Sequence, residues 1–556
     1  MLGGYLVLIG IITLCIWMLY KKKKYHFLQF FLFFLMIILS TIFIYLDDQN
    51  PTFITFNSHN ELKRIHHVSA NKNTNRVDYQ LTRIIQINQH TDRVIFGNPV
   101  VNDDKYIYSI SNNKVIVTSI DELEIIRQVT IPHTTPLFLY VTEDKLIIIG
   151  ELDKNTVINI YDKTDFSLFK EIMIDGVLVT SSLVDDEVYI ITSQIIEKET
   201  NDRPSYLENN VIKYIPYDKI YYIKDTFPNN YINIYKTNVN VQNKSNMISY
   251  LGLGQVVYQS PNNIYIAEEI FDQETGNSES SIIIRINNYS LQITGLARVK
   301  GYVLDKNSLN EYQGKLRLVT TLPNKGTLYI FNEKLKQISK LENFTNGKEI
   351  QATLFNGNKA YVDTFSTEDT FFVIDLTNQN QPKVISTNKF PGYNTSLISV
   401  NETHLIGFGL VYDGSTEPQG LQISLYDINS PEGIKLIDHK TYLYKDYQSV
   451  YSESLYDTKS LLLDKAKNII GFPVLYWITE DHVSYYRSFY ALYHYNNELS
   501  FIGNITHDNE GTKKNSANDI KKGIIRDNQI ITVSDNLIKI NSLTDLSLIK
   551  EIKLPK

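Results

Sequence analysis

The sequence predicts an all-β protein carried behind an N-terminal two-helix membrane hairpin. Two uncharged apolar stretches of membrane-spanning length open the chain. Beyond about Val94, short apolar runs alternate with breaks rich in Asn, Asp, Gly and Pro, and no long stretch keeps a helical period. A strand–turn–strand pattern then returns every ~35–60 residues, the spacing of repeat architectures. Hydrophobic residues make up 43% of the 556, enough for a folded core and too many for disorder. The 39 Tyr and 25 Phe add a bias towards strands.

Taken in order, the first element is the hairpin, residues 1–46. Met1–Tyr20 carries no charge, KKKKYH follows, and Phe27–Leu46 is again uncharged, predicting helices over about 2–20 and 27–46. Each matches the roughly 20 residues that span a bilayer. The lysines follow the first segment, and no small-residue cleavage site follows either one, which argues against a removed signal peptide. Lys21, Lys22, Lys23 and Lys24 occupy the only short loop and predict that it is cytoplasmic. The expectation is a multi-pass protein of the cell membrane, with everything after Asp47 extracytoplasmic. The same lysines suit anionic lipid, but a topology signal is the simpler reading.

Residues 47–93 form a polar stem with only short apolar runs. His66 and His67 lie there without neighbouring Cys or spaced acids, so they read as solvated rather than metal-binding. The formal net charge is −7; the first 46 residues hold four lysines and no acid, so the rest carries −11. An acidic domain without a basic stripe predicts no nucleic-acid partner. Cys15 is the one cysteine, which removes disulfides and thiolate metal sites.

The third element is residues 94–556. TFFVIDLTNQNQPKVISTNKF (Thr370–Phe390) and LQISLYDINSPEGIKLIDHKTY (Leu421–Tyr442) share one plan: a strand, a turn begun by Asp, and an outer strand. Asp121, Asp162, Asn332, Asp375, Asp427 and Asn541 hold the corresponding turn position, where their side chains can bond the turn backbone. Each copy follows another strand pair, which makes four strands per unit. Nine candidate units start near Val100, Leu137, Val179, Gln255, Leu309, Ile350, Thr395, Ser454 and Asp519. The third and eighth are swollen by inserts at Glu197–Asn210 and Tyr476–Phe489. This predicts a single β-propeller of about eight to nine four-stranded blades, with two smaller propellers as the alternative.

Several blocks resemble a known family: bacterial and archaeal membrane-anchored or secreted proteins with a C-terminal β-propeller domain, distantly related to WD repeats. NSLNEYQGKLRLVTT (Asn307–Thr321), Lys359–Val384, FPGYNTSLISVNETHLIGFG (Phe390–Gly409), Gly420–Tyr444 and GNITH (Gly503–His507) are similar to its motifs, in order. The chain departs from the family at STEDT after Asp363-Thr364-Phe365, at Ile398-Ser399 and at Asn102-Asp103-Asp104. The resemblance implies a fold and a location, not a reaction.

Candidate binding residues follow from these blocks. Glu311 and Arg317 suit a polar channel wall or an ion pair within one blade. Asp438 and His439 suit an oriented base, although an outer-strand histidine usually faces solvent or packs. His507 and Arg526 lie near loop ends. Asp363, Glu368 and Asp369 are oxygen ligands within seven residues, so a structural Ca²⁺ is the one cofactor with candidate ligands, acidic turn residues being the simpler reading. Nucleophile-elbow, zinc-protease and phosphate-loop signatures are absent. Trp477 is the only Trp after the apolar stretches, which excludes sialidase boxes and quinone-propeller repeats. The expected function is binding or scaffolding of a protein or cell-envelope partner without catalysis. The alternative is an extracytoplasmic hydrolase or lyase at the central channel.

Overall fold

The computed structural model describes residues 51–56, 58–63, 97–196, 203–223, 230–271, 278–365, 370–412, 418–430, 433–444, 449–480, 483–508 and 516–555. The apolar stretches, Lys21–Lys24, His66, His67, Glu368 and Asp369 lie outside them. Among the described residues no helix is long and apolar enough to cross a membrane.

Among the described residues nine sheets succeed one another along the chain, antiparallel except where Ile220–Ile223 runs parallel to Ser245–Leu251 in the third, and each is a blade of one propeller. Their innermost strands are Val100–Asn102, Thr135–Val141, Val177–Val184, Val256–Gln259, Leu309–Tyr312, Glu349–Asn356, Tyr393–Ser399, Ser449–Tyr451 and Lys522–Arg526. All nine sequence units are therefore blades, including the swollen third and eighth.

Burial explains the strand sequences. Middle strands such as Lys145–Leu152 and Asn155–Asp162 are covered on both faces by neighbouring blades and read as near-continuous apolar runs. Outer strands such as Lys383–Asn388 have one covered face and alternate. Two-residue hairpins within blades use left-handed pairs, Asn112-Asn113 at φ 47° and 61° between the second and third strands of blade 1 and Gln313-Gly314 at 53° and 73° between the first and second strands of blade 5. That backbone matches the twist of the flanking strands, and Asn and Gly tolerate it best.

The turns into outer strands follow the predicted side-chain chemistry. Asn332, Asp375 and Asp427 each accept the backbone N–H two residues on, at 2.9, 2.9 and 2.8 Å. Asp121 does not; Ser119 takes the role in blade 1 by accepting from Glu122 N at 3.1 Å. In eight blades a register shift follows, where the third strand ends. Leu123, Phe166, Leu291, Leu335 and Leu546 sit in left-handed conformation in five of these turns. Such strain in large residues persists only where packing repays it. A side chain added at Gly503 would meet Leu546 Cδ1 at 2.5 Å, so the glycine of GNITH is the seat for the next blade's leucine.

The core is a series of clusters between successive blades. Among the described residues, eight apolar clusters each join two neighbours, and one of them joins blade 9 to blade 1. A blade buries neither face alone, so the ring must close. Two residues of the stem range, Phe56 and Leu62, are 1% exposed within the cluster between blades 2 and 3.

Candidate binding site in the central channel

The innermost strands face the central channel, and blade 8 breaks that wall. Its inner edge is split into Ser449–Tyr451 and Leu462–Asp464, both antiparallel to Ile469–Glu480. The intervening residues form two 3-10 turns, Glu453–Leu455 and Thr458–Ser460, capped by the side chains of Ser452 and Asp457. This excursion carries the Lys459 ammonium to 4.6 Å from the ring of Phe138 on blade 2. Two blades lie between them in the ring, so the excursion crosses part of the channel.

On the side of blades 3 to 6 a cavity of about 400 Å³ remains. Blade 3 contributes Thr180, Ser181 and Ser182, and blade 4 contributes Val257, Tyr258 and Gln259. Blade 5 adds Lys306, Asn307 and Asn310, and blade 6 adds Leu354 and Phe355. Among the described residues the lining holds hydroxyls, amides and aromatic rings, one ammonium, and no carboxylate, imidazole or thiol. Half-buried Asp305 shapes the blade 5 wall by accepting the backbone N–H groups of Asn307 and Ser308, both at 3.0 Å.

The wall is tied from blade to blade. Tyr140 of blade 2 donates to Ser181 O at 2.9 Å. Ser182 bonds Gln259 across blades 3 and 4. The Glu311 N–H donates to Tyr258 Oη at 3.1 Å. Arg317, 1% exposed, donates to the Asn310 side chain and, at 2.7 Å, to Gly357 O of blade 6.

The two residues singled out in the Asn307–Thr321 block therefore stand behind the pocket, not in it. Among the described residues they do not pair with each other. Glu311 turns to blade 4, where it accepts from Ser260, Asn263 and Tyr265 at 2.5, 2.9 and 3.0 Å. Arg317 turns to blade 6, its guanidinium 4.4 Å from the Tyr312 ring centroid and 5.2 Å from that of Phe355. Burial pulls its pKa down to about 10, against the opposing pull of Tyr312 and Tyr258.

The other candidates are spread around the ring. His507, 0% exposed, bridges Ser534 at 2.8 Å and Thr532 at 2.9 Å, both on blade 9. Burial and then Lys539 push its pKa down to about 3, so it stays neutral. Arg526 meets Asp121 at 3.0 Å between blades 9 and 1. Asp438 accepts from Leu499 N of blade 8 at 2.9 Å and pairs with Lys440 at 2.8 Å. Burial would raise its pKa, but those partners hold it below the usual range. His439 is exposed on the outer strand Lys435–Leu443. Asp363 is buried and accepts from Asn394 N at 2.8 Å and Asn394 Nδ2 at 2.6 Å. Among the described residues no group of three His, Cys, Asp or Glu is placed to hold a metal ion.

Residues 88–546 match the beta propeller domain family. The chain belongs to that family. Two relatives within reach are uncharacterised archaeal proteins. One, from Archaeoglobus fulgidus, is 32% identical over 191 residues, 34% of this chain and 29% of the relative. The other, from Methanocaldococcus jannaschii, is 32% identical over 178 residues, 31% of this chain and 28% of the relative. The chain thus spans less than a third of the length of the curated relatives it matches. Solved structures similar to it include apo AztD from Citrobacter koseri, at 13% identity, TM-score 0.38, 75% of this chain and 96% of that one. Kluyveromyces lactis Hsv2p stands at 12% identity, TM-score 0.34, 62% of this chain and 98% of that one.

The family blocks acquire a physical meaning here: Glu311, Arg317, Asp363, Gly503 and His507 each join one blade to the next. Sequence reasoning missed the pocket residues Ser181, Ser182, Gln259, Lys306, Asn310 and Phe355. Their only signal is position, near the inner strand of a unit, and it becomes readable once four blades are set side by side.

Proposed function

We propose that the protein is a membrane-anchored, extracytoplasmic binding module that holds a cell-envelope partner at the channel pocket of its propeller. The observation that carries this reading is the composition of the pocket wall. Four consecutive blades supply hydroxyl, amide and aromatic groups, the usual makeup of a site that recognises without reacting. The apolar stretches and the lysine loop between them support the anchoring and the orientation.

The test uses the full-length protein and isolated cell-envelope polymer. Retention by the polymer is expected for the wild type and is lost in Leu354→Trp, which fills the pocket, with the unfolding midpoint unchanged. Equal retention by both proteins moves the contact away from the channel and overturns the reading. For the location, Tyr289→Cys in a Cys15→Ser background places a thiol where the residue is 89% exposed. Intact cells should then label with a membrane-impermeant maleimide; labelling only after lysis overturns the orientation.

A hydrolase or lyase remains the second reading, on a separate observation. Burial raises the pKa of Glu453 on the blade 8 excursion, with Lys521 opposing and Asp457 and Asp519 adding to the rise. A carboxyl whose charged form burial disfavours is shifted in the direction that a general acid requires.

A further inference from the structure

We propose that the channel pocket takes an acidic sugar, a polyhydroxylated ring bearing one carboxylate or phosphate. This deepens the binding reading above and rests on it. Ring hydroxyls both donate and accept, and the wall offers both capacities through Ser181, Ser182, Asn307 and Gln259. Gln259 is fixed in that wall by the bond it accepts from Ser182 of blade 3.

The apolar face of a sugar ring needs a flat, fixed surface. Phe355 lines the pocket and has Arg317 within 5.2 Å of its ring, itself bonded to blades 5 and 6. The ring is therefore held in place before any ligand arrives, which lowers the ordering cost of binding.

Charge selects the acid. Among the described residues Lys306 is the only charged residue of the lining. On the blade 8 excursion the Lys459 ammonium is attracted by Asp457 and repelled by Lys306 and Lys522. Lys459 has Asp457 at 3.8 Å, whereas no carboxylate lines the pocket beside Lys306. A cationic ligand would meet uncompensated repulsion there, and a single anionic group would relieve it. The volume of about 400 Å³ suits a mono- or disaccharide, within the range of small-molecule pockets.

Calorimetry on the full-length protein in detergent micelles tests this with four probes: digalacturonic acid, glucose 6-phosphate, galactobiose and inorganic phosphate. At least one of the two acidic sugars should bind at least ten-fold tighter than galactobiose, and which one binds distinguishes carboxylate from phosphate. Lys306→Gln, at an exposed position, should erase that preference. Phe355→Leu should weaken every sugar. Equal binding of galactobiose, or an acidic preference that survives Lys306→Gln, overturns the proposal. So does displacement of the sugar by an equal concentration of inorganic phosphate, which marks a plain anion site. If no sugar binds while envelope polymer is still retained through the pocket, the acidic sugar falls and the binding module stands. If polymer retention is also absent, both fall.

Discussion

Between blades 2 and 3 the chain crosses back where a ring does not require it. The insert of blade 3 returns as a hairpin, Ser205–Glu208 and Val211–Tyr214, that pairs with the outer strand Leu168–Asp175 of blade 2 and widens that sheet to six strands. Beneath it Lys170 and Glu208, both with fully buried side chains, lie 3.4 Å apart. Lys170 also donates to Thr237, Asn238 O and Val241 O of blade 3 at 3.0, 3.2 and 2.8 Å. Among the described residues the seam between blades 9 and 1 has no such crossing: each sheet there is built from four consecutive strands. An apolar cluster, two short side-chain bonds from Ser111 and Asn112 to carbonyls, and the Arg526–Asp121 pair hold it. The ring is thus closed by packing with a few peripheral polar ties, whereas the interface of blades 2 and 3 is reinforced by a strand hairpin and a buried ion pair.

The largest expected effect comes from unpicking the reinforced interface. Burial raises the pKa of Glu208, yet Lys213, Ser245 and Lys170 together hold the carboxylate below its usual range. Lys170→Met leaves that charge short of one partner and strands the buried Asn238 carbonyl. Removing one member of a buried pair costs about 3–5 kcal/mol, so the urea midpoint should fall by far more than for any surface lysine. A near-neutral result would mean that Lys213 and Ser245 suffice and that the hairpin alone joins the blades.

The seam should respond to packing. Ile531 on blade 9 is 0% exposed in the seam cluster, and Ile531→Ala should cost about 3 kcal/mol through lost burial and a cavity. The loss should also be local. Hydrogen exchange is expected to accelerate first in Tyr106–Ser119 and Gln529–Ser542, before the strands of blades 2 and 3. Uniform acceleration around the ring would show that the seam is no weaker than the other interfaces.

The difference between these regions also marks what a sequence discloses. Turn chemistry is local, so the unit starts at Val100 and Leu309 coincide with the first strands of their blades. The eighth start, Ser454, falls inside the excursion because the inner strand of blade 8 is broken there and the period with it. The insert at Glu197–Asn210 reads as a swelling of the third unit, yet its strand from Ser205 pairs with blade 2. Nothing local in SYLENN says which neighbour it will meet. The pocket is hidden for a related reason: Ser181, Gln259, Asn310 and Phe355 are each ordinary inner-strand residues, tens of positions apart, joined only by ring geometry. Motif residues such as His507 and Arg317 stand out because interfaces need particular groups, which makes them prominent without making them sites.

A second buried glutamate sharpens the contrast between paired and unpaired charge. Glu268 on blade 4 is 3% exposed, its Oε2 has no hydrogen-bond partner among the described residues, and a side chain at Gly252 would come within 2.3 Å of it. Burial pushes its pKa up to about 7, partly offset by the Leu253 N–H. The folded state therefore binds a proton that the unfolded chain releases near pH 4.5, and stability falls as pH rises from there through 7. Glu268→Gln should be neutral at pH 4 and more stable than the wild type by roughly 2–3 kcal/mol at pH 8. Midpoints that track each other across that range would place a water or a counter-charge beside the carboxyl.

The smallest effect belongs to the most visible contact of the seam. Arg526 and Asp121 are 35% and 71% exposed, so solvent screens their attraction, and pairs of this kind contribute about 0–1 kcal/mol. Arg526→Ala should shift the midpoint by no more than that, and the shift should shrink at high salt. Burial at Ile531 then outweighs the ion pair several-fold. If Arg526→Ala instead opens the seam as far as Ile531→Ala does, charge rather than packing closes the ring, and the exposed pair takes the part that the buried Lys170–Glu208 pair plays between blades 2 and 3.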